Sequence, residues 1–230
     1  MKTIGLFGGT SWVSTVEYYR LINELTNEQL GGLNYAKIIL QSVNFHEFKS
    51  LADAGNWKQI GVNISAIAQH LQNAGADCLL LCANTPHIVA DTVQQNISIP
   101  LIHIAEETAK EIVAQNLTKV ALLGTRFTMD NTFFTERLLV HGIETVLPDE
   151  KQRDYIHSKI FSELGKGIFN DETKNRYLQI IESLRNKGAQ GVIFGCTEIP
   201  ILIRPSECNI PVFDTTIIHA KAAVRFSLSS

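Results

Sequence analysis

The sequence is poor in the features that usually place a protein quickly. It has no run of lysine and arginine and no acidic or basic tail, and 20 basic against 23 acidic residues leave a formal net charge of -3. That balance argues against an extended nucleic-acid surface, although a small basic pocket is compatible with it. Cysteine is scarce. Cys78, Cys82, Cys196 and Cys208 are the four in 230 residues, which does not make the framework of a small secreted disulfide protein, so reduced thiols are expected. Cys78 and Cys82 lack a second ligand pair at metal-knuckle spacing, and no metal site is expected. The first apolar stretch, Ile4 to Phe7, is too short for a signal peptide or a membrane span, and the protein is expected to be cytoplasmic. Gly8-Gly9 has no third glycine where a dinucleotide fingerprint needs one, and no Gly-Lys-Ser/Thr follows as in a P-loop.

What the sequence does have is apolar content, 45% of its residues, enough to bury a core in one large domain or two small ones. Two stretches dominate. Leu79-Leu80-Leu81-Cys82-Ala83-Asn84-Thr85-Pro86-His87 has an echo in Gly191-Val192-Ile193-Phe194-Gly195-Cys196-Thr197-Glu198-Ile199-Pro200. Each is an apolar run closed by a cysteine, the pattern of a buried parallel strand entering a turn. In α/β proteins ligands bind at such carboxyl ends of strands. Free cysteine is also a common core residue, but Asn84, Thr85, Thr197 and Glu198 put hydrogen-bonding groups directly after each thiol, where an inert core strand would carry apolar ones.

The rest of the chain alternates strand and helix. Strands are expected at Ile4–Phe7, Ala36–Ser42, Ile99–His103, Lys119–Leu123, Glu144–Val146 and Ile210–Asp214. Helices are expected through Tyr18 to Leu25 and at 48–55, 57–73, 91–95, 106–114, 131–141, 153–164, 173–186 and 216–226, with Gly165-Lys166-Gly167 as a break. Gly8-Gly9 before the first helix allows backbone amides near a ligand, and a helix N-terminus favours an anion; a plain tight turn is the simpler alternative. This alternation implies parallel βαβ units with right-handed crossovers.

The two halves also match in order. Gly8 corresponds to Gly124, Cys82 to Cys196 and Pro100 to Pro211 at a nearly constant offset, which indicates an internal repeat. The expected fold is therefore α/β, with two similar pseudo-symmetric lobes, each a parallel sheet flanked by helices. Residues 1–105 with 208–230 form the lobe carrying Cys82, and residues 106–207 the lobe carrying Cys196. A cleft between them would suit a reaction that treats two faces of a small molecule alike, as racemisation does.

Gly8-Gly9-Thr10-Ser11-Trp12, Ser42-Val43-Asn44-Phe45, Cys82-Ala83-Asn84-Thr85, Leu123-Gly124-Thr125, Gly195-Cys196-Thr197-Glu198 and Phe213-Asp214-Thr215-Thr216 together resemble the aspartate/glutamate racemase family, nearest its broad-specificity amino-acid branch. The resemblance covers nearly the whole chain. It implies cofactor-independent racemisation of an acidic or related amino acid, often by a dimer, with Cys82 and Cys196 as the two acid/base residues. Thr10, Ser11, Ala83, Asn84, Thr85, Thr125 and Thr197 would hold the substrate, and Lys166, with Lys49 beside Phe48, falls near the basic positions that aspartate-directed relatives use for carboxylates. His87, His103 and Glu198 would support these groups rather than touch substrate, His87 and His103 by orienting a cysteine or by satisfying strand-end backbone. Thr10, Val13, Phe48, Ala52 and Ala83 differ from many relatives, so the preferred side chain stays open.

An ordinary thiol ionises near pH 8.5, so one cysteine must become a thiolate while the other stays protonated. The carbanion-like transition state needs donors aimed at the α-carboxylate. A cis/trans isomerase or decarboxylase on the same scaffold, or an amino-acid-binding module without catalysis, are the alternatives.

Overall fold

The computed structural model describes residues 1–229. The chain divides into two compact units, Met1–Ile104 with the residues from His219 onward, and Ala105–Ile218.

The first unit is built on β1 (Ile4–Gly8), β2 (Ile38–Ser42) and β3 (Cys78–Leu81), with α1 (Trp12–Leu30), α2 (Phe45–Asp53), α3 (Trp57–Asn73) and α4 (Ala90–Gln94) between and after them. The strand order is β2-β1-β3, all parallel. Every residue of β1 and β3 is buried, whereas β2 is partly exposed at the edge. This is why the first and third strands read as unbroken apolar runs. Tyr18, Leu21 and Ile22 put one stripe of α1 against Ile4, Leu6, Leu80 and Cys82, and Ala220, Ala223 and Val224 of the C-terminal helix complete that core. Ser11, Asn44 and Asn56 cap α1, α2 and α3 with side-chain oxygens.

Gly9 has φ +92°, and a Cβ there would collide with the Val43 backbone and Ser42 Oγ. The glycine is thus required where the turn passes the end of β2. Its N–H donates to Thr15 Oγ1 at 2.9 Å, so the amide expected to approach a ligand serves the first turn of α1 instead.

The second unit contains all but the first residue of α5 (Ile104–Ala114), then β4 (Lys119–Gly124), α6 (Arg126–Asp130), α7 (Thr132–Val140), β5 (Glu144–Val146), α8 (Glu150–Ser162), α9 (Asp171–Asn186), β6 (Gly191–Gly195), α10 (Ile199–Leu202) and β7 (Val212–Asp214); its second boundary falls within α11 (Thr215–Leu228). Its parallel sheet runs β5-β4-β6-β7. Tyr177, Ile180, Leu184, Val192 and Phe194 lie in its core. Fully burying an aliphatic or aromatic side chain contributes about 1.5–3 kcal/mol.

The internal repeat is visible in hydrogen bonds as well as strand order. The Leu79 N–H donates to Pro100 O at 2.9 Å, and the Val192 N–H to Pro211 O at 2.8 Å. The Asp77 N–H bonds Thr3 O and Asp77 Oδ2 accepts from the Thr3 N–H, while the Gln190 N–H bonds Lys119 O and Gln190 Oε1 accepts from the Thr118 N–H.

Four expectations need correction. Residues 208–218 belong with the second unit, because β7 pairs with β6 through Val192↔Val212 and Ile193↔Phe213. Ile99–His103 is no full strand: it meets β3 at the single bridge of Leu101 to Leu79, where the Leu79 N–H donates to Pro100 O and the Ile102 N–H to Leu79 O, while Gln94 holds the outward-facing Leu101 N–H and Ile99 O. The helix expected over 131–141 is preceded by a separate α6, with Asn131 between them in an extended conformation. Finally, α8 begins at Glu150 because Asp149 and Gln152 form a reciprocal capping box.

Candidate active site

Cys82 follows β3 directly. Its N–H donates to Phe7 O at 2.9 Å, so the ladder beside β1 carries it to the strand's end, and its side chain is fully buried. Phe7 and Leu81 are in register, which puts Thr10 and Ser11 after β1 at the same sheet edge as Ala83, Asn84 and Thr85. Ser14 Oγ donates to Cys82 O at 2.6 Å and thereby ties α1 to the turn. Thr10 and Asn84 are buried. The Thr10 hydroxyl has no hydrogen-bond partner among the described residues, the state of a group that a polar ligand would satisfy. Burial pushes the Cys82 thiol well above the ordinary thiol range.

Three histidines lie close by. His87 is buried. Its Nδ1–H donates to Ala83 O at 2.9 Å, because a carbonyl can only accept, and Nε2 accepts from the Ile104 N–H at 3.3 Å. Those two partners define a neutral imidazole. Burial, then the neighbouring rings of His103 and His219, hold its proton affinity well below that of an ordinary histidine. The ring centroids of His103 and His219 are 4.8 and 5.5 Å from that of His87. His219 Nε2–H donates to Ile102 O at 2.7 Å, and its Nδ1 accepts from Tyr18 Oη at 2.8 Å. His87 thus bonds the backbone on both sides of the turn, the second of its two expected roles.

In the second unit Gly124 and Gly195 are in register, so Thr125 and Cys196 follow neighbouring strands. Cys196 and Thr197 are partly exposed and Glu198 is buried. The Cys196 thiol donates to Glu198 Oε2 at 2.8 Å, and Thr197 Oγ1 donates to the same oxygen at 2.9 Å. Close packing around the sulfur, then the Glu198 charge, push the Cys196 thiol well up, against the backbone amides of Glu198 and Thr197, which favour the thiolate. Thr125 Oγ1 accepts from the Thr128 N–H at 3.3 Å, capping α6.

Lys49 lies on α2 and Lys166 in the turn after α8. Lys49 pairs with Asp53 one turn along α2 at 2.6 Å. Its neighbour Phe48 is the one that enters the core. Lys166 ends the 3-10 turn Leu164–Lys166, is exposed, and precedes Gly167 in the left-handed region. Cys78 is fully buried at the start of β3, its thiol pushed up to about 12 by burial and then by Asp77. Cys208 packs at the edge of the second core. Among the described residues no group of three or more His, Cys, Asp or Glu is placed to hold a metal ion, and no helix is long and apolar enough to cross a membrane.

Sequence reasoning missed Ser14, Tyr18 and His219. Ser14 and Tyr18 share a helix whose periodicity marks only its apolar face. His219 lies far along the chain from the turn it supports, and no local pattern announces it.

The fold agrees with what is found among known proteins. The Asp/Glu/hydantoin racemase family matches residues 7–223, and the chain belongs to that family, whose members are isomerases. A crystal structure of a candidate Asp/Glu racemase from Yersinia pestis superposes with a TM-score of 0.95, 45% identity and complete coverage of both chains. An aspartate racemase homologue from Pyrococcus horikoshii OT3 gives 0.89 and 34%, again covering both chains fully. The broad specificity amino-acid racemase RacX of Bacillus subtilis is 27% identical over 157 residues, 68% of this chain and 67% of that one.

Proposed function

We propose that this protein racemises a free amino acid, with aspartate or glutamate preferred, using Cys82 and Cys196 as the acid/base pair. The carrying observation is that both halves of the repeat end the corresponding strand at a cysteine followed by hydrogen-bonding residues, in a chain whose family is one of racemases. One thiolate removes the α-proton and the opposite thiol returns a proton to the other face. The α-carbon is inverted, and the two sulfurs exchange protonation states. Thr10, Ser11, Ala83, Asn84, Thr85, Thr125 and Thr197 are assigned to the substrate's ammonium and α-carboxylate, where donors aimed at developing charge contribute most. Lys166 is assigned to a distal carboxylate, and Lys49 to a lesser share of it. The working unit is inferred to be a cytoplasmic homodimer that needs neither nucleic acid nor membrane.

The test is incubation in D2O with each enantiomer of an amino-acid panel, following α-deuterium uptake and chirality, before and after dialysis against a chelator and without pyridoxal phosphate. Uptake coupled to loss of optical activity in both directions is expected. Binding without exchange would identify an amino-acid-binding module, and conversion without inversion would identify another isomerase or a decarboxylase.

A further inference from the structure

The two cysteine turns differ in one respect that the repeat does not predict. The sulfur of Cys82 has no hydrogen-bond partner among the described residues, and burial alone acts on it. The sulfur of Cys196 donates to a carboxylate two residues on. That carboxylate is 6% exposed, and its Oε2 also accepts from Thr197 Oγ1. An ionised carboxylate only accepts hydrogen bonds, and this oxygen accepts two. Of a carboxyl and a thiol that share one hydrogen bond, the thiol carries the proton, because a thiol is by far the weaker acid. Ionising Cys196 as well would set two like charges within one hydrogen-bond length, which the thiol resists.

We propose that Glu198 is a positioning residue that keeps Cys196 as a thiol in the resting protein, so that Cys196 starts as proton donor and Cys82 is the first of the pair to ionise. This rests on the two-thiol reading above. In one turnover the Cys82 thiolate takes the α-proton while the Cys196 thiol gives its proton to the opposite face. Cys82 is left as the thiol and Cys196 as the thiolate, and the reverse turnover or exchange with solvent restores the start. The enantiomer whose α-hydrogen faces Cys82 is then the one the resting form accepts. Tyr177 of α9 interacts with both Cys196 and Glu198, and with Tyr155 of α8 and Glu163 after α8. Tyr177 is kept neutral by burial and donates to Ile156 O at 3.0 Å. Glu163 is committed to Lys159, Thr173 and Asn170.

The test measures the pH midpoint for alkylation of Cys196 by iodoacetamide, read on its own peptide, in the full chain. In the unaltered protein this midpoint is expected above the ordinary thiol value of about 8.5. In Glu198→Gln and Glu198→Ala it should fall by at least about one pH unit, a tenfold gain in modification rate below the midpoint. Glu198→Asp should keep most of the suppression, and the alkaline limb of kcat/KM should move to lower pH in Glu198→Gln. A midpoint that stays or rises in Glu198→Gln, or a Cys196 midpoint at or below the ordinary thiol value in the unaltered chain, overturns the proposal. Cys78 and Cys82 report on folding, since only a disrupted core would make either reactive, and the Cys196 midpoint in the unaltered chain decides even where both variants unfold. Racemisation with unmoved midpoints would refute this inference alone, whereas shifted midpoints without α-deuterium uptake would refute the racemase reading alone.

Discussion

Ser14 Oγ donates to the carbonyl oxygen of Cys82 across 2.6 Å in a buried setting. The strand's hydrogen-bond ladder ends at Cys82, and the next N–H, that of Ala83, turns back to Leu81 O. A carbonyl left at that point without a partner would be costly, and a serine in the first turn of α1 satisfies it. The bond locks the backbone that carries the thiol to the helix leaving the neighbouring strand.

Ser14→Ala should therefore destabilise the protein by about 1–3 kcal/mol, the cost of one buried unsatisfied acceptor. Urea unfolding with an unchanged m-value is the check. Turnover should fall along with stability, since the Cys82 backbone would be free to shift. Wild-type stability in this variant would show that the carbonyl finds another donor.

Each of Cys82→Ser and Cys196→Ser should abolish racemisation while circular dichroism stays close to that of the parent, Cys82→Ser with some loss of thermal stability because its thiol is fully buried. Cys78→Ser and Cys208→Ser should keep turnover, the former with some loss of stability because a hydroxyl replaces a buried thiol. Retention of half or more of the activity in either of the first two variants would refute the two-base mechanism.

The neutral His87 makes the fold sensitive to acid. Its folded-state proton affinity is lowered by burial and by His103 and His219, whereas in the unfolded chain it titrates near pH 6.5. The unfolded state thus binds the proton more readily. The stability from neutral His87 is fully present above about pH 6.5 and is lost as pH falls from there toward the lowered folded value, by at most about 1.4 kcal/mol per pH unit. Urea midpoints at pH 7.5, 6.0 and 5.0 should decline, and His87→Gln should decline less steeply from a lower start. A flat profile in the unaltered chain would contradict the assignment.

Lys166→Ala should weaken aspartate and glutamate far more than a neutral amino acid of similar size. Losing one charged hydrogen bond costs about 1.5–3 kcal/mol, roughly ten- to a hundred-fold in affinity. Lys49→Ala should act in the same sense but more weakly, as Lys49 is already paired with Asp53. An equal drop in kcat/KM for acidic and neutral substrates would make the role of Lys166 structural.

Much of this arrangement is written locally. Unbroken apolar runs at Ile4–Phe7, Leu79–Leu81 and Gly191–Phe194 mark central parallel strands, because only a strand covered on both faces stays apolar throughout. The repeat was legible because corresponding turns keep the same glycine, cysteine and proline landmarks, and its hydrogen bonds recur nearly atom for atom. Ile99–His103 was read as a full strand because its composition suits one, while in the fold it pairs with β3 only around Leu79.

The amino-acid sequence by itself determined the strand and helix alternation, the two cysteine turns and the duplication, since each depends on residues within a few positions of one another. Only the tertiary structure decided that residues 208–218 join the second sheet and that Tyr18, His87 and His219 meet. It also decided that Lys49 spends its charge on Asp53 and that one cysteine faces a carboxylate while the other faces none. Those outcomes depend on which distant side chain reaches a given hydrogen-bonding group first, a competition settled by packing.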